Sequence, residues 1–189
     1  MFTGKDAAGY GLLSVMKTWF PMLVLLAAVP MRAAAAPPLG PHPEACAAEA
    51  GGTAVLVHVR GFKDTSGNVR VDLYPAVEGE FLAPHARLRA EGKVNERIDV
   101  PAAVALDGDI CVKLPGPGTY AIAVLHDRNG SGKLDAFSDG YGFPNNPRLG
   151  YGKPEAAEAA FTADVGVTRL DIVLNYWNGL AARPLRSAR

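Results

Sequence analysis

Two runs of strict alternation follow residue 52. In 53–60, Val55, Val57 and Val59 share one face, and Ala54, Leu56 and His58 the other. In 68–74, Val69, Val71 and Leu73 alternate with Arg70, Asp72 and Tyr74. Successive strand side chains point to opposite faces, so this spacing predicts two half-buried strands. The turn-forming cluster Asp64-Thr65-Ser66-Gly67-Asn68 between them predicts a hairpin. Further strands are expected over 97–100, 109–114, 119–125, 160–163 and 168–175. The segment 119–125 is apolar on both faces, which places it centrally in a sheet. Only 80–90 reads as a short helix, with Phe81, Leu82 and Leu88 as anchors and Pro84 against it. Seven short strands, punctuated by many of the 21 Gly and 15 Pro, predict an all-β fold: an antiparallel β-sandwich with one short helix.

The first 35 residues have a different character. Lys17 precedes an apolar run from Trp19 to Val29, followed by Pro30, Arg32 and the small residues Ala33 to Ala36. A basic start, a short apolar centre and an Ala-x-Ala site describe a secretory signal peptide cleaved near Ala35. The apolar run is about half the roughly 20 residues that a membrane span needs. Residues 36–52 read as an extended arm, 53–178 as the sandwich and 179–189 as a flexible tail. The expected location is periplasmic or secreted, with no membrane span in the mature chain.

Charge and cysteine content narrow the function. The chain balances 19 basic against 19 acidic residues, and a nucleic-acid binder normally carries a basic excess. Without residues 1–35 the count becomes 16 basic and 18 acidic. Cys46 and Cys111 are the only cysteines. Outside the cytoplasm such a pair is most simply a structural disulfide.

One segment has the composition of a site. Counted from Asp127, oxygen side chains fall at positions 1, 3, 5 and 9: Asp127, Asn129, Ser131 and Asp135. Gly132 occupies position 6, and Lys133 at position 7 would contribute its backbone carbonyl. This is much of a calcium loop, in which alternate residues turn inward on one cation. Position 12 is Ser138, with Asp139 one place late, and a strand rather than a helix precedes the loop. The other reading is a long hairpin loop whose Asp, Asn and Ser side chains satisfy its own backbone. Calcium is the one cofactor considered.

Residues 141–154 have little periodicity and extend the connection to about 30 residues, a length that is usually functional or internally packed. Tyr141, Phe143 and Tyr151, spaced by Gly and Asn, form a candidate binding surface for an envelope polymer or peptide, or fold back as a lid. The last strand ends at Asn175-Tyr176-Trp177, a possible neighbour of this region.

The string Pro117-Gly118-Thr119-Tyr120-Ala121-Ile122-Ala123-Val124-Leu125-His126-Asp127, the Asn129…Leu134-Asp135 spacing and the block Gly140-Tyr141-Gly142-Phe143…Asn145-Asn146 carry a resemblance. Together they resemble the exported bacterial family called domain of unknown function 2141, over roughly residues 53–176. At Ser131 the chain departs from the commoner string, where a second Asn is frequent. The resemblance implies a transthyretin-like (prealbumin-like) sandwich and brings no activity or site.

No catalytic residue is assigned. His126 and Asp127 are adjacent on a strand and point to opposite faces, which prevents a His–Asp relay. No Gly-x-Ser-x-Gly elbow or zinc-type His pairing occurs. The expectation is a non-catalytic binding or envelope-accessory module, with His126 in a structural role. The alternative is a hydrolase-type enzyme centred on His126 and the 141–151 loop.

Overall fold

The computed structural model describes residues 36–47, 49–150 and 152–186. The expected signal peptide and Tyr151 lie outside the described residues. All seven expected strands are present: β1 (Thr53–Arg60), β2 (Asn68–Pro75), β3 (Glu96–Pro101), β4 (Asp109–Leu114), β5 (Gly118–Asp127), β7 (Ala160–Ala163) and β8 (Gly166–Val173). Three short strands join them: β6 (Gly140–Gly142), β9 (Asn175–Trp177) and β10 (Ala182–Pro184). Residues 182–184, within the expected flexible tail, pair with β9 and bury Ala182.

A smaller sheet runs β4-β1-β8 and a larger one β10-β9-β6-β5-β2-β3. The fold is a two-layer β-sandwich. Strand β5 is central, as its two apolar faces imply: β2 covers one edge, while β7 and β6 share the other. The pairing is antiparallel except between β1 and β8, which run parallel. A parallel partner needs a crossover connection rather than a turn, and these two strands are more than a hundred residues apart.

The expected β1–β2 hairpin does not form, because β1 and β2 belong to different sheets. Residues 61–67 instead cross between layers. Gly67 ends the crossing at φ +68°, where an added Cβ would lie 2.0 Å from the Asp127 carbonyl oxygen. No other residue type fits this approach.

Alternation sorts the side chains as expected. Val55, Val57 and Val59 meet Val69, Val71 and Leu73 in the inter-sheet core, with Ile122 and Ile172. On the outer face of the smaller sheet, Ala54, Leu56 and Cys111 are covered by Ala45 and Cys46 of the N-terminal arm. Cys46 and Cys111 form a disulfide with Cα atoms 5.9 Å apart. The arm also bonds to β4, through Leu39 N–H to Asp109 O (2.7 Å) and Cys111 N–H to Leu39 O (2.8 Å).

The helix is shorter than expected. α1 spans His85–Ala90, with Pro84 at its N-cap and Leu82 at φ 59°. Proline starts a helix but disfavours helical backbone in the residue before it, which confines the helix to the second half of 80–90. Phe81 and Leu88 are buried as anchors, while Leu82 is half-buried. A second helical turn, α2, spans Ala102–Ala105. Among the described residues, no helix is long and apolar enough to cross a membrane.

Candidate functional site

The outer face of the larger sheet carries a cleft of about 680 Å³. Its floor follows from strand alternation. Residues whose neighbours fill the inter-sheet core must face outward. β3 contributes Arg97, β2 contributes Arg70 and Asp72, and β5 contributes Ala123 and Leu125. Tyr141 and Phe143 extend the floor along β6 and just beyond it, and Trp177 on β9 completes it. One side of the cleft is therefore charged, the middle small and apolar, and the other side aromatic. Register makes this grouping possible, since β6 pairs Val124–His126 of β5 and Tyr141 lies opposite Asn175 of β9.

The loop 127–139 forms one wall, and its side chains are directed at its own backbone. Asp127 Oδ1 accepts the Ser131 N–H at 3.0 Å, and Oδ2 accepts that of Gly132 at 2.7 Å. Asp139 Oδ1 accepts the Arg128 N–H (3.0 Å) and Oδ2 the Asp135 N–H (2.8 Å). Asn129 Oδ1 accepts the Ser131 N–H, Asp135 Oδ1 that of Phe137, and Ser131 Oγ–H donates to the Lys133 carbonyl. Every side chain of the calcium-type spacing thus has a partner inside the loop, in the Asx-turn pattern. Among the described residues, no group of three or more His, Cys, Asp or Glu is arranged to hold a metal ion. Asp127 and Asp139 are buried, whereas Asn129, Ser131, Lys133 and Asp135 are exposed.

One ion pair and one side-chain hydrogen bond to the backbone brace this wall. Arg128 bonds Asp64 of the 61–67 crossing, and Arg70 Nη1 donates to the Gly132 carbonyl at 2.8 Å. The Arg128 guanidinium is the main cause that holds the Asp64 carboxyl down at about 2. The outer edge of the wall is apolar: Leu134 is 53% exposed and Phe137 80% exposed. Phe137 meets Trp177 edge-on at 6.3 Å.

The opposite wall is the segment after β6. Phe143 is buried against Phe81, their ring centroids 6.0 Å apart, while Tyr141 is half-buried. Asn145 and Asn146 adopt positive φ (62° and 45°) and clamp the segment to the sandwich. Asn145 Nδ2 donates to the carbonyls of Glu158 (3.2 Å) and Ala160 (2.9 Å). Asn146 takes the Val173 N–H on Oδ1 at 2.8 Å and donates to the Asp171 carbonyl at 3.2 Å. The aromatic segment therefore folds back as a wall, and Gly150, Gly152 and Lys153 line the cleft beside it.

Asp72 anchors the charged end. It takes Arg97 in a two-point grip (Nε 2.7 Å, Nη2 3.2 Å), with His85 Nε2 at 3.2 Å and the Tyr74 hydroxyl at 3.4 Å. Burial is the main cause that raises the Tyr74 phenol, with the Asp72 charge adding to it. Arg70 Nε pairs with Asp99 at 2.9 Å.

His126 faces away from the cleft, into the inter-sheet core, and is fully buried. Its Nε2–H donates to the Ser66 carbonyl at 2.9 Å, so Nδ1 accepts the Tyr176 O–H at 2.7 Å. The Tyr176 oxygen in turn accepts the Lys63 N–H at 3.0 Å. This chain stitches the 61–67 crossing to β5 and β9. Desolvation lowers the His126 pKa, partly opposed by the Ser66 bond. Burial pushes Tyr176 up to about 12. Asp127 makes its bonds on the other side of the strand, so the adjacent pair does not converge. Close packing here depends on Gly140, where a Cβ would lie 2.5 Å from the Tyr176 ring.

Tyr141 and Phe143 stand out in the sequence as candidate binding residues, whereas Arg70, Asp72, Arg97 and Trp177 do not. The signal for the first two was present, since alternation already turns them outward. Their convergence with Trp177 depends on strand order, which no local pattern encodes.

No curated protein and no solved structure matches the chain. Residues 57–171, more than half of the chain, match the family model described as an uncharacterized protein conserved in bacteria. That span includes β5, the whole 127–139 loop and the Asn145-Asn146 clamp, and the chain belongs to the domain of unknown function 2141 family.

Proposed function

We propose that this protein is a non-catalytic binding module acting outside the cytoplasm, and that it takes a small ligand into the cleft on the outer face of its larger sheet. The observation that carries the reading is the convergence of side chains from five strands and two braced loops on one 680 Å³ concavity. Ligand sites are typically mostly preformed clefts of this size, apolar with a few placed polar groups. A polymer or peptide of the envelope would enter by an end group of that size. Export is supported by the leader pattern and by the disulfide, a bond that persists in oxidising compartments. The loop 127–139 serves as a rigid wall, ordered by its own side-chain bonds rather than by calcium.

The test uses N-phenyl-1-naphthylamine, a neutral fluorophore that joins a naphthalene to a phenyl ring, with the folded full chain. The expected result is saturable one-to-one binding that quenches Trp177, with Trp177→Phe assigning the signal. Ala123→Phe, which fills the cleft floor, abolishes the binding while the melting temperature shows that the fold is kept. Absence of saturable binding, or equal binding by Ala123→Phe, overturns the proposal.

A further inference from the structure

Four cationic side chains line the cleft, Arg70, Arg97, Lys133 and Lys153, against one acid, Asp72. They divide into two kinds. Arg70 and Arg97 are committed to Asp99 and Asp72. The ammonium groups of Lys133 and Lys153 are exposed and make no ion pair among the described residues. Two uncommitted positive charges therefore stand at the mouth of a cleft with aromatic walls. Low-dielectric walls strengthen the field of such charges over that of the same charges on an open surface.

The apolar part has a shape preference. The rings of Phe137 and Trp177 meet edge-on, and so do those of Tyr141 and Phe143. Between the walls the floor is low, at Ala123. Aromatic walls of this kind give a flat body ring faces and edges on which to stack.

Accepting the cleft as a binding site, we infer that its ligand is a planar aromatic organic anion. The ring system lies between Tyr141 and Trp177, and a carboxylate, sulfonate or phosphate group reaches Lys133 and Lys153. The lysines act as point charges and leave the identity of the anionic group open. The rings set the size and flatness of what enters.

Two probes isolate the charge. 8-Anilinonaphthalene-1-sulfonate has the ring system of N-phenyl-1-naphthylamine plus one sulfonate. With the folded full chain, the sulfonate is expected to bind roughly tenfold more tightly than the neutral probe at low salt. That advantage is expected to shrink as salt is added. Lys133→Glu/Lys153→Glu is expected to abolish it, the sulfonate then binding no more tightly than the neutral probe. Both lysines are exposed, so the melting temperature of this variant should match that of the parent. Equal binding of the two probes, or an advantage that survives in the double variant, overturns the anion inference and leaves the cleft standing. Failure of both probes to bind overturns the binding-module reading itself.

Discussion

At the residue scale, His126 shows how burial decides the role of a group with catalytic potential. Both ring nitrogens are used, one by a carbonyl and one by a phenol. The ring is fully buried, and desolvation holds its pKa below the ordinary 6.5. Between the folded pKa and 6.5, the unfolded chain takes up a proton that the folded chain refuses. Stability is therefore complete above 6.5 and declines as pH falls below it. The melting temperature is expected to drop between pH 7 and pH 5. His126→Gln is expected to be less stable at neutral pH and to lose this His-dependent part of the slope. An unchanged slope in the variant would place the acid sensitivity elsewhere.

At the scale of elements, the loop 127–139 separates what the sequence makes legible from what it does not. Spacing alone identified the oxygen-bearing positions, and a calcium loop and an Asx-turned loop share them. The difference lies in where the oxygens point, which depends on Gly132 and on the strand entering the loop. Asp127 takes two backbone N–H groups, and leaving them unsatisfied costs about 1–3 kcal/mol. Asp127→Ala is therefore expected to lower the melting temperature by the same amount in EDTA and in millimolar calcium. A saturable calcium-dependent rise in the parent, lost in Asp127→Ala, would instead establish a metal site. Strands were legible because alternation is local. The β1–β2 crossing was not, because a turn cluster marks a reversal without saying which sheet the next strand enters. The aromatic segment's sequence is compatible with either a binding surface or a lid. Its actual position rests on Asn145 and Asn146, whose side chains reach β7 and β8.

At the scale of the whole molecule, two outer faces have different fates. The smaller sheet's outer face is covered at Ala54, Leu56 and Cys111 by the N-terminal arm, which the Cys46–Cys111 disulfide ties to β4 across a sequence separation of 65 residues. Removing such a bond from a domain of this kind typically costs about 2–5 kcal/mol. Cys46→Ala/Cys111→Ala is expected to lose stability in that range by urea unfolding. The loss should be accompanied by hydrogen exchange at Leu39 and Cys111 faster than in the parent. The larger sheet's outer face carries the cleft, between walls whose side chains bond the loops in place. The proposed binding role is therefore tested most directly by where a ligand touches the protein. In a titration of isotope-labelled protein with 8-anilinonaphthalene-1-sulfonate, followed by amide and indole chemical shifts, perturbations should concentrate at Arg70, Ala123, Tyr141 and Trp177. Ala54 and Leu56, across the sandwich, should stay unmoved. Shifts centred on the smaller sheet, or scattered without saturation, would contradict it.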